Sequence, residues 1–213
     1  MSSVRGSDCR ARPTWPRNLG LSRSSLREAV RALSLVRILD VRQGDGTYVS
    51  NLSANSLVDT LSFIVEFHHD SSVLDLLEVR RILEPAASAR AALRIGTAAL
   101  DDLEEVLGRA TTRSSVEDLV SADVEFHRAI GIAAGNPVLA SLVESLSGPT
   151  QRARIWRGMT EEGALSRTLA EHRAIFDAIR SHDPELARTW STVHIAGVET
   201  WLRKTLQQER DAG

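Results

Sequence analysis

The chain has 213 residues, of which 42% are hydrophobic and 25% are charged, and its formal net charge is −2. This length accommodates one large domain, or one small and one medium domain, with a full hydrophobic core. No apolar run approaches the roughly 18 residues of a membrane span, and the chain begins without the hydrophobic segment of a signal peptide. The single cysteine, Cys9, excludes an intrachain disulfide and indicates a reducing, cytoplasmic setting.

The charge is unevenly distributed along the chain. Residues 1–50 contain nine arginines against four acidic residues, whereas the remainder of the chain has an excess of acidic residues. A basic head on an acidic body indicates that the head contacts a polyanion such as DNA and that the body does not.

Regular patterning begins near Leu21. Ser22 is expected to cap a short helix, because apolar residues then repeat at intervals of three and four. The next stretch, ILDVRQGDGTYVS, predicts a strand from Ile38 to Arg42, a tight glycine turn and a second strand from Thr47 to Ser50. A short helix that leads into a two-stranded ribbon is half of a winged helix.

The rest of the chain is patterned as helices. Residues 51–57 are expected to form a polar linker, and residues 58–208 an antiparallel bundle of six or seven helices, with a tail at 209–213. The predicted helical segments are 56–69, 72–93, 97–110, 115–134, 137–158 with a break near Gly148-Pro149, 162–181 and 184–208. The fold class is therefore mostly α, with a partial winged helix-turn-helix over 1–50 followed by the bundle.

A group of acidic and histidine residues predicts a metal site inside the bundle. Asp123 and His127 are four residues apart, so both side chains lie on one helical face, one turn apart. His172 and His194 each fall within a later helical segment, so that four ligands from three helices can converge. One carboxylate and three imidazoles suit Zn²⁺, Ni²⁺ or a similar divalent transition ion. A lone histidine on an apolar face is more often an ordinary core residue.

The basic head resembles the winged helix-turn-helix of the GntR family of bacterial transcription regulators. The resemblance lies in LGLSRSSLREAVRAL and VRQGDGTYV, the recognition helix and wing of that family. It implies DNA contacts by Ser22, Arg23, Ser24, Ser25 and Arg27 on the helix, and by Gln43 and Gly44 at the wing. Upstream, RARPTWPRNLG replaces the family's LPSERELAERLG-like helix, and its prolines disfavour a helix interior. The DNA-binding domain is therefore expected to be truncated or divergent before Gly20.

The helical body resembles the FCD effector domain of the FadR subfamily over about residues 58–208. The resemblance lies in LLEVRRILEPAASARAA, DVEFHRAIGIAAGNPVL and EHRAIFDAIRSHDPELAR. It implies a divalent metal held by Asp123, His127, His172 and His194. It also implies effector contacts by Arg80, whose guanidinium can clamp a carboxylate, and by Asn136. An ion pair with Glu84 or Glu78 accounts for Arg80 as well, and a helix cap accounts equally well for Asn136.

These expectations together predict a homodimeric, cytoplasmic repressor or other transcription regulator. It would bind a double-stranded DNA operator, and a small carboxylate metabolite at the metal would change its operator affinity. Lactate, sugar acids and dicarboxylates all remain open as effectors. One alternative is a metabolite-binding relic of the family that no longer binds DNA. Another is a metal-dependent enzyme, which is disfavoured because Glu125 faces away from the ligands and no other general acid or base is recognisable.

Overall fold

A computed structural model describes residues 22–35, 38–42, 44–49 and 71–212 of the chain. The chain divides into two compact units, residues 1–61 and 62–213, whereas the sequence places the boundary in the linker at 51–57. The helix predicted over 56–69 and the whole stretch before Ser22 lie outside the described residues. None of the described helices is both long and apolar enough to cross a membrane.

The first unit contains a helix and a two-stranded ribbon. Helix α1 spans Arg23–Leu35, and its N-terminal cap is Ser22, whose Oγ accepts a hydrogen bond from the backbone N–H of Ser25. Strands β1, Leu39–Arg42, and β2, Gly46–Val49, pair antiparallel with Leu39 opposite Val49. The turn between them needs Gly44, whose φ of +85° is strained for other residues. The predicted helix and ribbon are confirmed, with strand ends shifted by one residue.

The second unit is a bundle of seven described helices. They are α2 (Ser71–Ala92), α3 (Thr97–Arg109), α4 (Val116–Ala133), α5 (Pro137–Ser147), α6 (Gln151–Thr160), α7 (Ala164–Arg180) and α8 (Pro184–Ala212). The predicted break near Gly148-Pro149 separates α5 from α6. Helix α8 continues through 209–212, which the sequence assigned to a tail, because residues 198–212 contain no glycine or proline.

Capping residues begin the helices that carry the site. Ser115 caps α4 by accepting a hydrogen bond from the N–H of Asp118. Acidic residues in the first turn of α4 also interact favourably with the positive end of the helix dipole. Before α8, the Oδ1 atom of Asp183 accepts from the N–H of Leu186, and Pro184 occupies the first helical position. Both helices therefore begin where the sequence predicts, and this fixes which side chains face inward.

Helices α2, α4, α7 and α8 surround the middle of the bundle. Alanines on α2 allow the other helices to approach closely, and a core of large apolar side chains packs against them. The core side chains include Leu103, Phe126, Ile130, Val143, Ile175, Phe176 and Ile179. Trp156 and Trp201 pack edge to face in a second cluster near the end of α8. The buried polar groups lie between these two apolar regions.

Candidate metal centre

Three helices bring Asp123, His127, His172 and His194 together. Asp123 and His127 lie one turn apart on α4, His172 is on α7 and His194 is on α8. All four side chains are buried, and one ligand atom from each lies within 4.8 Å of the others. The four residues singled out in the sequence are therefore adjacent in the fold, 71 positions apart at their extremes.

The distances between the four ligand atoms fit a metal ion. The Oδ1 atom of Asp123 lies 3.2 Å from Nε2 of His172 and 3.7 Å from Nε2 of both His127 and His194. The Nε2 atom of His194 lies 3.2 Å from that of His127 and 3.3 Å from that of His172. Ligand bonds of about 2.0–2.1 Å around one ion require ligand separations of this order.

Two buried carboxylates determine which ring nitrogen faces the cluster. The Nδ1 atom of His127 lies 2.7 Å from Oε2 of Glu84, and Nδ1 of His194 lies 2.9 Å from Oε2 of Glu171. The Nδ1–H of His194 therefore donates to Glu171, and Nδ1 of His127 faces the carboxylate of Glu84, so both rings turn Nε2 toward the cluster. Two lone pairs 3.2 Å apart cannot hydrogen-bond each other, so this arrangement fits a shared cation.

Contacts with cations and N–H groups keep the carboxylates ionised, whereas burial keeps His172 and His194 neutral. Burial by itself would raise the pKa of Glu84, but the charge of Arg80 and the contact with His127 outweigh it and hold that pKa far below its usual range. Burial likewise opposes ionisation of Glu171, while the hydrogen bond from His194 lowers its pKa. Burial lowers the pKa of His194 to about 4 and that of His172 well below its ordinary value. Neutral imidazole is the form that binds metal.

Asp123 uses its two oxygens for different partners. Oδ1 faces the three histidines, whereas Oδ2 contacts Nη1 of Arg154 on α6. The Nη2 atom of Arg154 donates to the backbone carbonyl of Ser147, at 2.5 Å, across the break between α5 and α6. Arg154 therefore holds the carboxylate in the orientation that presents one oxygen to a metal.

A cavity opens directly beside the cluster. Its charged and polar lining consists of Asp123, His194, Arg154, Arg157 and Thr168. Its apolar lining consists of Leu119, Val120, Gly158, Ala164, Leu165 and Val198. A cavity with one charged end and an otherwise apolar wall is typical of a site for a small organic anion. Arg157 and Thr168 were missed from the sequence, since neither belongs to a motif.

The two predicted effector contacts lie elsewhere. Arg80 is fully buried on α2; its Nε donates to Glu84 at 2.5 Å, and its Nη1 donates to the hydroxyl of Thr150 at 2.9 Å. Asn136 is exposed and caps α5, accepting hydrogen bonds from the N–H groups of Val138 and Leu139. Neither residue is among those that line the cavity, and their effector role stays a prediction.

The predicted DNA-contacting residues are on the first unit. Ser22, Arg23, Ser24, Ser25 and Arg27 are all exposed on or just before α1, with the serine hydroxyls hydrogen-bonded to one another. Gly44 is exposed in the turn of the ribbon, and Gln43 lies outside the described residues. Exposed arginines at the N-terminal end of a helix suit contacts to base edges and phosphates.

Glu125, which lies between Asp123 and His127 in sequence, points to solvent. Its carboxylate pairs with Nη1 of Arg109 at 2.8 Å, and about half of each side chain is exposed. The position agrees with the expectation that Glu125 faces away from the ligands.

Comparison with known proteins gives a consistent result. The family model described as "FCD domain" matches residues 75–197. The chain is 30% identical to the galactonate operon transcriptional repressor of Escherichia coli K12, over 94% of this chain and 90% of that protein. It is also 30% identical to the HTH-type transcriptional regulator LutR of Bacillus subtilis 168, over 85% of each chain.

Solved structures agree with these matches. A GntR protein of Streptococcus agalactiae is 31% identical, with a TM-score of 0.63 over 87% of this chain and 85% of that one. McbR/YncC of Escherichia coli is only 18% identical, with a TM-score of 0.52, and supports the fold alone.

Proposed function

The chain belongs to the GntR family of transcription regulators, in the FadR-type branch that carries an FCD domain, and on this premise we propose that a metal-bound organic acid controls its binding to DNA. Its similar relatives are regulators and repressors, so the chain is a transcription regulator and not a metalloenzyme. We also propose that the protein is a cytoplasmic homodimer, because two-fold symmetric regulators bind the paired half-sites of an operator.

The observation that supports a metal most directly is the convergence of Asp123, His127, His172 and His194 inside the bundle. The set combines one carboxylate with three imidazoles, and two of the imidazoles have a further carboxylate next to Nδ1, at 2.7 and 2.9 Å, which favours ligation through Nε2. This donor set favours Zn²⁺ or Ni²⁺ over Mg²⁺ and Ca²⁺, which prefer all-oxygen sites. When bound, the ion supplies positive charge and coordination positions for a carboxylate.

The protein's own residues would bind and orient the rest of the effector. Arg154 and Arg157 place two guanidinium groups on one side of the cavity, one turn apart on α6. Leu119, Leu165 and Val198, which also line the cavity, would limit the access of water to it. Arg80 and Asn136 are still proposed as effector contacts, as the family resemblance implies. Arg80 would act through Glu84, with which it forms an ion pair.

Regulation requires that the effector bind the DNA-competent and DNA-incompetent arrangements with different affinities. Helix α6 is the element best placed for this, since it carries Arg154 and Arg157 and follows the break after α5. The names of the relatives mention galactonate and, for a further E. coli protein 32% identical, L-lactate dehydrogenase. Both names support a small hydroxy acid as the effector here.

The deciding experiment is the metal content of the purified protein beside His172→Ala and His194→Ala. About one equivalent of transition metal should be present in the wild type and lost from both variants. His182→Asn is the control, because His182 lies outside the cluster and asparagine tolerates its φ of +56°. A wild type that remains metal-free after incubation with zinc or nickel salts would contradict the metal site. Carboxylates that change the affinity of the loaded protein for selected DNA would then identify the effector.

A further inference from the structure

The buried charges around the cluster do not balance, and from their sum we infer that the effector is a singly charged anion. This inference rests on the proposed function, and it chooses between the monocarboxylates and dicarboxylates that the sequence left open. The sum includes charged side chains that are less than one third exposed. Each of them contacts one of the four ligands, lines the cavity, or forms an ion pair with a residue that contacts a ligand or lines the cavity.

Four carboxylates and three guanidiniums meet this description. The carboxylates are Asp123, Glu84, Glu171 and Glu161, with exposed side-chain fractions of 5%, 2%, 12% and 28%. The guanidiniums are Arg80, Arg154 and Arg157, each at most 5% exposed. Glu161 belongs to the set because it accepts a hydrogen bond from Nε of Arg157 at 2.5 Å. The second partner of Glu161 is Arg167, whose side chain is half exposed, so Arg167 is not included in the sum.

The balance of these groups is one negative charge when the histidines are neutral. Arginine stays protonated in proteins, and the three carboxylates nearest the histidines are each paired with a cation or an imidazole N–H. A site with this charge repels an anion. The protein without metal should therefore bind no carboxylate measurably.

A divalent ion reverses the sign of the balance. The site then carries one positive charge in surroundings of low dielectric constant, where an uncompensated charge is costly. One carboxylate neutralises it. A second carboxylate in the same cavity restores an excess negative charge beside Asp123, because the charges of Arg154 and Arg157 are already balanced by Asp123 and Glu161.

The lining of the cavity agrees with this charge. Besides Asp123, His194 and the two guanidiniums, Thr168 supplies the one polar side chain among the described residues that line the cavity, and the remaining lining is apolar. Such a wall accepts a neutral chain with hydroxyl groups, and it offers no further cation to a second carboxylate.

The test compares acids that differ only in one carboxylate, on the wild-type protein with its metal. Lactate is compared with malate, and gluconate with glucarate, by calorimetry and by thermal shift. The expected result is that at least one monoanion binds and that its dianionic counterpart binds at least about tenfold more weakly. Equal or tighter binding of the dianion overturns the inference while leaving the proposed function intact. Failure of every acid to bind the metal-loaded protein overturns the proposed function as well.

Glu161→Gln tests the charge balance itself. It removes the negative charge that pairs with Arg157, a lining residue of the cavity, without touching a metal ligand, so the loaded site gains a second positive charge. The dianion should then bind at least about tenfold more tightly than it binds the wild type, with metal content unchanged. Glu105→Gln, an exposed glutamate paired with Arg109 on α3, is the matched control and should leave both affinities unchanged. An unchanged preference in Glu161→Gln would overturn the inference.

Discussion

The Nδ1 atom of His194 lies 2.9 Å from the Oε2 atom of Glu171, although the two residues are 23 positions apart and on different helices. This contact directs Nε2 of His194 toward the other three ligand atoms. Glu171 is therefore a positioning residue for the metal: it binds no ion itself but fixes the ring that does.

Glu171→Ala should weaken metal binding by about 10–100-fold, because His194 then loses the partner that fixes its tautomer and orientation. Competition with a chromophoric chelator measures the affinity. Glu162→Ala, an exposed glutamate in the turn before α7, is the control and should bind metal as the wild type does. An affinity unchanged in Glu171→Ala would show that the hydrogen bond contributes nothing to ligation.

Arg80→Ala should destabilise the fold by about 3–5 kcal/mol, because it leaves the carboxylate of Glu84 buried without its ion-pair partner. Urea unfolding of the metal-free protein measures the loss. Arg81→Ala is the control, since Arg81 is 38% exposed and its partner Glu199 keeps a second ion pair with Arg203, and it should cost about 1 kcal/mol or less. A small loss in Arg80→Ala would favour an effector contact over a structural role.

The metal-free protein should lose stability as the pH falls from about 6.5 toward 4. The pKa of His194 is about 4 in the folded state, and it rises to about 6.5 on unfolding, so the unfolded state binds more protons in this window. The expected loss from His194 alone is roughly 3 kcal/mol. Urea unfolding at pH 7.5 and pH 4.5 measures it, and the double variant His172→Asn, His194→Asn should show a flatter dependence. A wild-type stability independent of pH in this range would contradict the prediction.

Gly158→Ala should close part of the cavity without removing a metal ligand. A Cβ atom at this position would lie 2.7 Å from Cγ1 of Val116 and 3.1 Å from Cδ2 of Leu165, so these side chains must shift. We expect a loss of about 1–3 kcal/mol in stability and weaker carboxylate binding. Gly108→Ala on α3 is the control, because its Cβ meets nothing and should stabilise the helix by about 0.5–1 kcal/mol.

Arg27→Ala should weaken binding to selected operator DNA by about 1–3 kcal/mol and reduce its dependence on salt. Arg27 is exposed near the N-terminal end of α1, where arginines can reach bases or phosphates. Fluorescence anisotropy at several salt concentrations measures the change. Arg113→Ala, an exposed arginine in the turn before α4, should bind DNA as the wild type does, and an equal loss in both variants would argue against a specific contact.

The helices of the bundle and the four candidate ligands were predictable because both follow from local spacing. Four residues separate Asp123 from His127, and that interval places both on one face of any helix. The periodic apolar residues around His172 and His194 likewise predict helices in which these histidines face inward. Caps at Ser115, Asn136 and Asp183 mark helix starts by chemistry that is also local.

The partners of those ligands were not predictable from the sequence. Glu84 and Glu171 reach His127 and His194 across helix interfaces, and no motif distinguishes them from the other glutamates of the chain. Arg157 was missed, because an arginine that lines a cavity and one that faces water have the same local sequence signal. Arg80 could equally be an ion-pair partner or an effector contact until its burial with Glu84 was known.

The sequence by itself thus determined the helical period, the helix ends and the set of groups able to bind a metal, since these depend on residues a few positions apart. Only the tertiary structure decided which oxygen of Asp123 faces the histidines, which nitrogen of each ring is free, and how many buried charges surround them. These properties depend on distances of about 3 Å between residues far apart in the chain, and packing alone sets such distances.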